Sequence, residues 1–265
     1  MATADKANWD ASRYHRVAQP HAAWGASVLD RLQLRGDETV LDAGCGSGRV
    51  TAQLLERLPR GHVIAADRSS AMLAQARQVL APWSGQVTFV EVDLLQLEPV
   101  DLAAPVDVVL STAVFHWIAD HPRLFKNLYA VLKQPAGYLE AQCGGGANLA
   151  EFMRATDTVV ARPPFAALLQ GLDLWRHYVS AEQAEANLRA ACFATATAWL
   201  EDSPQTFADA AALADYCRGV VLTSHVAALP PALSDDFVEQ VVAEIARRKG
   251  GFVLDYVRLN LRAAV

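Results

Sequence analysis

The sequence predicts an α/β fold built around a doubly wound sheet of mostly parallel strands. Short apolar runs at 39–41 and 106–111 have the composition of strands that are buried on both faces. The segment 49–58 repeats its apolar residues at helical spacing. Glycines or acidic residues stand where the first strands end. Alternating strands and helices form parallel units whose carboxyl ends meet at one edge, and ligands bind there.

A glycine-rich turn joins the first strand to the first helix of this pattern. Residues 42–48 are Asp-Ala-Gly-Cys-Gly-Ser-Gly, and glycine permits positive φ and close approach of a ligand. A dinucleotide fingerprint would need glycine at Ser47 or Arg49, and a P-loop would need Gly-Lys-Ser/Thr. The turn therefore predicts a nucleotide-like ligand other than NAD or a nucleoside triphosphate. A glycine turn that holds no ligand is the alternative.

Two acidic residues follow the next two predicted strands. Asp67 ends the strand 61–67, about 20 residues beyond the glycines, where an acid binds ribose hydroxyls in nucleotide-binding α/β folds. A helix cap or a solvated loop acid is the alternative role for Asp67, because Ser69 begins a helix. Asp93 ends the strand that begins at Val87. With the strand 106–111, four strand ends converge on one edge.

These motifs resemble those of the class I S-adenosylmethionine (SAM) dependent methyltransferases, over residues 36–142. Asp-x-Gly-x-Gly-x-Gly matches motif I of that superfamily. Further matches point to its trans-aconitate methyltransferase-like group: Trp9-Asp10 with Tyr14, Phe115-His116-Trp117-Ile118, Asp120-His121-Pro122, Leu124-Phe125, Trp199-Leu200 and Tyr256-Val257-Arg258-Leu259-Asn260-Leu261. One departure is Lys133-Gln134-Pro135-Ala136-Gly137, where the family has Lys-Pro-Gly-Gly.

The resemblance implies a Rossmann-like fold with an antiparallel final strand, a helical cap over the ligand edge, and SAM as the cofactor, released as S-adenosylhomocysteine. It implies an N-terminal helical lid at 1–35 and a methyltransferase domain at 36–265, with cap insertions near 144–190 and 203–232. In the family, the acid after the third strand contacts the adenine amino group, and the backbone of the residue that follows this acid contacts the adenine ring. The expected cofactor-binding residues are Asp42, Gly44, Cys45, Gly46, Asp67, Arg68, Met72, Asp93, Leu94 and Ser111.

His116 is the expected catalytic residue, because it follows the fourth strand, beside the expected sulfonium. Histidine suits proton transfer near neutral pH, and it can also donate a hydrogen bond that orients a carboxylate. Packing against Trp117 with a bond to the backbone is the third possibility. Tyr14, His15 and Trp117 are the expected substrate-binding residues, with the first two in the lid.

The leading hypothesis is a SAM-dependent methyltransferase that acts on a carboxylate oxygen of a small molecule. A phenol, an amine or a carbon centre of a natural product is the alternative acceptor, and a SAM-binding protein without catalysis is a third hypothesis. An NAD-dependent dehydrogenase is disfavoured by the residues at the fingerprint positions.

Composition limits the partners and the compartment. The net charge of -6 disfavours nucleic acid, which favours a basic surface. No apolar run is long enough to span a bilayer, so no membrane partner is expected, and the polar N-terminus predicts a cytoplasmic protein. The four cysteines are scattered, which predicts reduced thiols and no metal site. The sequence does not predict the oligomeric state.

Overall fold

The computed structural model describes residues 19–265, with side chains from residue 23 onward. The chain divides into two compact units. The unit that we call the sheet unit consists of Pro20–Gly146, His177–Glu201 and Arg258–Val265. The unit that we call the helical unit is built from Ala147–Arg176 and Asp202–Val257.

Strands appear where the sequence places apolar runs. Their bounds are β1 Thr39–Ala43, β2 His62–Asp67, β3 Val87–Glu91, β4 Val108–Thr112, β5 Tyr138–Gly144, β6 Thr195–Asp202, β7 Gln205–Thr206, β8 Val253–Leu254 and β9 Val257–Ala264. Seven of them form one sheet in the order β3-β2-β1-β4-β5-β9-β6. The strands β7 and β8 form a separate antiparallel pair.

Helices separate most of these strands. Their bounds are α1 Gln19–Arg31, α2 Arg49–Leu55, α3 Ser70–Val79, α4 His121–Ala130, α5 Ala150–Val160, α6 Ala166–Leu169, α7 Ala181–Ala190, α8 Ala210–Tyr216, α9 Thr223–Ala228 and α10 Pro231–Lys249. Short 3-10 turns cover Ala81–Trp83, Pro99–Asp101 and Phe115–Trp117, and a π-helical turn covers Cys217–Val221. Within residues 19–265, no helix is long and apolar enough to cross a membrane.

The large sheet confirms the predicted doubly wound architecture. Strand β1 pairs in parallel with β2 and β4, β2 with β3, and β4 with β5. Strand β9 then pairs with β5 in the antiparallel direction, as predicted for the final strand. The parallel strands therefore bring their carboxyl ends to one edge of the sheet, together with the first residues of β9.

Apolar side chains pack on both faces of the sheet. One cluster joins the sheet to α4 and α7 through Leu124, Phe125, Leu128 and Leu188. The other cluster joins it to α1, α2 and α3 through Val28, Leu29, Leu54 and Leu73. Burial of each such side chain contributes roughly 1.5–3 kcal/mol, so these two cores hold the sheet edge in place.

The helical unit departs from the sequence predictions in its details. The sequence places a helix at 235–248 with Ser234 as its N-cap, but α10 begins three residues before Ser234, at Pro231. Proline suits the first helical position because its missing N–H would have no partner there. Residues 252–262 alternate in a way that predicts one strand, but the structure interrupts it, since β8 ends at Leu254 and β9 begins at Val257.

Asp255, in that interruption, joins two distant parts of the helical unit. Its carboxylate oxygens accept the N–H groups of Glu151 at 2.7 Å and of Phe152 at 3.2 Å, in the first turn of α5. Its carbonyl accepts the N–H of Leu149. A residue about 100 positions downstream thus supplies the cap that Leu149, with positive φ and no capping side chain, does not provide.

The predicted lid and cap stay predictions. Helix α1 lies within the predicted lid, whereas residues 1–18 lie outside the described part of the chain. The two predicted insertions overlap the helical unit, although α7 and its buried Ala184 and Leu188 belong to the core of the sheet unit.

Candidate functional site

The glycine turn between β1 and α2 adopts a backbone that L side chains rarely accept. Gly44, Gly46 and Gly48 have φ values of 88°, 53° and 81°. A Cβ at Gly44 would lie 2.3 Å from Cγ2 of Val114, so this position is also too crowded for a side chain. At Gly46, a Cβ would meet no atom within 4 Å. The turn therefore packs against Val114 at Gly44, whereas the space beside Gly46 is open, so a ligand can approach the backbone there.

Asp67 fixes this turn from the end of β2. Its Oδ2 atom accepts the N–H of Gly46 at 2.9 Å, and its Oδ1 atom accepts the N–H of Ser69 at 2.9 Å. Burial raises the pKa of Asp67, and the backbone N–H groups of Ser69, Gly46 and Arg68 oppose that rise, as does the charge of Arg68. A carboxylate has about four lone-pair sites, so Asp67 keeps acceptor capacity beside the open face of the turn.

Asp42, at the end of β1, is buried and is bound to α2. Oγ1 of Thr51 donates a hydrogen bond to its Oδ2 atom at 2.7 Å. Burial raises the pKa of Asp42 to about 6, and the hydroxyl of Thr51 opposes that rise. Burial also raises the pKa of the Cys45 thiol, so this side chain is a neutral thiol at physiological pH.

The remaining predicted cofactor residues lie on the neighbouring elements of the same edge. Asp93 follows β3 and accepts the N–H of Leu95 at 2.9 Å. Leu94 is buried, and so is Met72 in α3. The hydroxyl of Ser111 in β4 donates to the carbonyl of Ala43 at 2.7 Å, so this side chain joins two strands. Arg68 follows Asp67 and is exposed.

His116 lies on the 3-10 turn that follows β4. Its imidazole is buried, and Nδ1 accepts the N–H of Gly144, the last residue of β5, at 3.1 Å. Its ring centroid is 5.6 Å from that of Trp117 and 6.0 Å from that of Tyr178. Because Nδ1 is an acceptor, the neutral ring carries its proton on Nε2.

Two further contacts hold the turn that carries His116. Nε2 of His121 lies 2.9 Å from the carbonyl oxygen of Phe115, and it must be the donor because a carbonyl only accepts. The carbonyl of His116 accepts the N–H of His177 at 2.8 Å. Burial lowers the pKa of His121, which favours its neutral form. These backbone contacts fix the position of the His116 ring.

Arg258 is a buried cation at the same edge that the sequence analysis did not select as a site residue. It lies in β9 opposite Gly144 and is only 2% exposed. Its guanidinium lies over the ring of Trp24 at 4.2 Å, and Nε donates to Oε1 of Gln142 at 3.4 Å. An arginine inside an alternating apolar strand was the available signal, although the sequence does not tell which face of that strand is buried.

Not every predicted residue can be placed. Tyr14 and His15 lie outside the described residues, so their role in substrate binding stays a prediction. Among the residues that are described, no group of three or more His, Cys, Asp or Glu side chains is arranged to hold a metal ion.

The helical unit contains a different kind of buried group. His225 in α9 packs between Trp175, at a centroid distance of 4.6 Å, and Phe237, at 5.9 Å. Burial lowers the pKa of His225 to about 3, and the charge of Arg176 lowers it further. No motif in the sequence points to this residue.

Comparison with known protein families connects this geometry to a chemistry. Residues 40–135 match the family model described as a methyltransferase domain. This segment contains β1 to β4, the glycine turn, Asp67, Asp93 and His116.

Two curated relatives extend the match beyond that segment. A trans-aconitate 2-methyltransferase from Variovorax paradoxus is 30% identical over 243 residues, which cover 91% of this chain and 88% of the relative. A trans-aconitate 2-methyltransferase from an Azoarcus species is 38% identical over 134 residues, which cover 51% of this chain and 50% of the relative.

A solved structure has the same fold. The cyclopropane-fatty-acyl-phospholipid synthase-like protein from Lactobacillus casei aligns with a TM-score of 0.62 at 18% identity, covering 94% of this chain and 92% of that one. At this identity the likeness concerns the fold alone.

Proposed function

Because the chain belongs to the class I SAM-dependent methyltransferases, in the trans-aconitate 2-methyltransferase group, we propose that it methylates a carboxylate oxygen of a small acid. SAM is the methyl donor. The relatives named for trans-aconitate support a carboxylate acceptor. The observation that carries the proposal is the hydrogen bond from the Gly144 N–H to Nδ1 of His116.

The residues around the glycine turn fit the cofactor. The open face of Gly46 leaves room for a ligand against the backbone. Asp67, beside it, has acceptor capacity for the two ribose hydroxyls, and Asp93 lies at the next strand end. We assign Gly46, Asp67 and Asp93 to cofactor binding, and we assign Gly44 and Asp42 to holding the glycine turn in place. When bound, SAM supplies an electrophilic methyl group on a sulfonium.

The task of the protein is then to align the acceptor and to exclude water. An in-line transfer gains its rate mainly from positioning the two reactants, and no covalent enzyme intermediate is needed. A carboxylate is already deprotonated near neutral pH, so it needs no general base. It does need a donor that orients one oxygen and leaves the other oxygen available for attack.

His116 meets that requirement as a hydrogen-bond donor. Its Nδ1 atom accepts from a backbone N–H, which leaves the proton of the neutral ring on Nε2. That nitrogen can donate to a carboxylate oxygen but cannot accept a proton from a phenol or an ammonium group. The tautomer therefore favours a carboxylate over the alternative acceptors, which need a base.

The direct test is transfer of a labelled methyl group from SAM to a panel of small acids that includes trans-aconitate, with phenols and amines alongside. The product is then treated with mild alkali. Release of the label as methanol indicates a methyl ester and supports the proposal. A stable label indicates an ether, an amine or a carbon product and overturns it.

Two substitutions of His116 separate the donor role from the base role. The amide nitrogen of glutamine mimics Nε2–H but cannot act as a base, so we expect His116→Gln to retain about a tenth of wild-type kcat. His116→Phe removes the donor and should lower kcat about 1000-fold, since one preorganised donor contributes a factor of roughly 100 to 1000.

Affinity for S-adenosylhomocysteine, measured by calorimetry, is the control for both variants. Unchanged affinity shows that the fold and the cofactor site are intact. If His116→Gln were as inactive as His116→Phe while both bound the cofactor product normally, a donor role would be excluded and a base role favoured.

A further inference from the structure

One face of the β5–β9 pair carries a row of polar side chains, which is buried except at Arg262. Along β9, Arg258, Asn260 and Arg262 alternate with Leu259 and Leu261 and therefore share one face. The register places them opposite Gly144, Gln142 and Glu140 of β5 in that order. These three opposing pairs follow one another along the two strands, and the pair of Arg258 and Gly144 lies at the candidate site.

The two opposing pairs that lie farther from the site are each joined by hydrogen bonds. Nε of Arg262 donates to Oε2 of Glu140 at 2.7 Å, and Nε of Arg31 donates to the other carboxylate oxygen at 2.5 Å. Nε2 of Gln142 donates to Oδ1 of Asn260 at 2.8 Å. Hydrogen bonds between paired side chains offset the free-energy cost of placing polar groups in the protein interior.

The opposing pair at the site, Arg258 and Gly144, is arranged differently. Gly144 contributes no side chain, and its N–H is bound to the ring of His116. The guanidinium carbon of Arg258 lies over the Trp24 ring, and its Nε donates to Oε1 of Gln142, whose amide is oriented by Asn260. A buried guanidinium is thus kept in a fixed orientation beside the position that holds His116.

The charge of Arg258 acts on this edge of the sheet. Burial raises the pKa of the Cys143 thiol to about 12, and the charge of Arg258 opposes that rise. Cys143 directly precedes Gly144 in β5. A carboxylate brought to this edge would experience the same positive charge in a buried setting, where it is screened little by solvent.

We propose that Arg258 binds a second carboxylate of the methyl acceptor, one that is not methylated, and thereby selects di- and tricarboxylic acids. This inference rests on the proposed function. A guanidinium presents paired donors that match both oxygens of a carboxylate. Such a bidentate contact draws electron density from both oxygens and makes each a weaker nucleophile, so it suits the carboxylate that does not react.

His116 and Arg258 divide the two tasks between them. The neutral imidazole orients the reacting carboxylate through a single donor, and the guanidinium holds the other end of the acid. Strand β5 lies between β4 and β9, so these two strands are roughly 10 Å apart, and His116 lies on the turn that follows β4. Two side chains at that separation can bind opposite ends of one small acid.

The test measures binding of trans-aconitate by calorimetry in the presence of saturating S-adenosylhomocysteine. We expect Arg258→Met to weaken that binding about 100-fold and Arg258→Lys, which keeps the charge but loses the paired donors, about 10-fold. Arg262→Lys, on the same face of β9, is the matched control and should bind within about twofold of the wild type.

A smaller monocarboxylic acid with the same kind of carbon–carbon double bond, crotonate, separates recognition of the second carboxylate from folding. Its kcat/KM should change less than about threefold in either Arg258 variant, because it has no second carboxylate. Equal binding of trans-aconitate by wild type and Arg258→Met would overturn the inference. Equal losses on trans-aconitate and crotonate would also overturn it, since they would indicate a structural role. Arg258→Lys provides the same tests if the methionine variant does not fold.

Failure of the proposed function has a different signature. An alkali-stable product, with binding of trans-aconitate still dependent on Arg258, would exclude ester formation and keep the inference. A wild-type enzyme that forms a methyl ester of crotonate but binds no polycarboxylic acid would keep the proposed function and exclude the role of Arg258.

Discussion

In the sheet unit, the buried side chains of Asp42 and His116 are hydrogen-bonded to Thr51 and to the backbone of Gly144. In the helical unit, His225 is buried among aromatic rings, and its Nδ1 atom has no hydrogen-bond partner among residues 19–265. The ends of parallel strands leave backbone donors that can bind a polar side chain, whereas helices use most of their own donors internally. The buried polar side chains at the sheet edge therefore have hydrogen-bond partners, whereas the aromatic rings around His225 offer its Nδ1 atom none.

The largest expected effect tests whether the sheet edge alone binds the cofactor. Asp67→Ala should weaken S-adenosylhomocysteine binding about 1000-fold, because hydrogen bonds from two hydroxyls to a charged group are lost, at roughly 2 kcal/mol each. Calorimetry measures this. In the helical unit, Asp209→Ala is the matched control, because the Asp209 carboxylate also accepts a backbone N–H, that of Ala212 at 2.8 Å.

We expect Asp209→Ala to cost about 1 kcal/mol of stability through the lost helix cap and to leave cofactor affinity unchanged. Asp67→Asn keeps the shape of the side chain and serves as the check on folding. Similar cofactor affinities in Asp67→Ala and the wild type would exclude the ribose assignment.

The second prediction concerns the pH dependence of the sheet unit. Asp42 has a pKa of about 6 in the folded protein, against an ordinary value of 3.8 for an aspartate in an unfolded chain. Between pH 3.8 and pH 6 this carboxyl group is ionised in the unfolded chain but protonated in the folded protein. The wild type therefore loses about 3 kcal/mol of stability as pH rises from 4 to 6 or above. Asp42→Asn cannot ionise and lacks this loss.

The difference in stability between Asp42→Asn and the wild type should therefore shift in favour of the variant by about 3 kcal/mol from pH 4 to pH 8. Hydrogen exchange of the β1 and β4 amides, without SAM, follows the sheet unit itself. A difference that stays constant over this range would contradict the burial of an ionised carboxylate.

A smaller effect of opposite sign is expected in the helical unit. His225 has a pKa of about 3 in the folded protein, against an ordinary value of 6.5 for a histidine in an unfolded chain. Below pH 6.5 the unfolded chain takes up a proton that the folded protein does not, so the wild type loses about 2 kcal/mol between pH 7 and pH 5. His225→Phe fits the aromatic surroundings and should not show this loss.

Exchange of the α9 and α10 amides measures this effect, and the β1 amides in the same samples are the internal control. Identical pH profiles of wild type and His225→Phe would show that His225 is protonated in the folded state. The contrast between the two units would then be wrong.

Much of the sheet edge could be predicted because its signals are local. Strands β1, β2 and β4 follow from apolar runs, and Asp42, Asp67 and Asp93 follow from their places at strand ends. The glycine turn needs positive φ at Gly44 and Gly46, which few other residues tolerate. In each case the residue type and its position in the chain determine the structure together.

The rest depends on contacts between distant segments. The donor tautomer of His116 depends on Gly144, and the burial of Arg258 depends on Trp24 in α1. Periodicity shows that β9 has a polar face but not that this face is covered. At α10, the capping preference of serine at 234 competed with the helix-starting preference of proline at 231, and the proline prevailed.

The place of β9 in the sheet has a consequence for the synthesis of the chain. Strand β9 lies between β5 and β6, and Gln142 and Asn260, which face each other across the pair, are 118 residues apart. At about 5–20 residues per second, the ribosome needs roughly ten seconds to make that interval. During this time one edge of β5 has its backbone groups unpaired, and β6 has no neighbour from the large sheet. Nascent chains therefore present an open strand edge, which invites association between chains until β9 closes it.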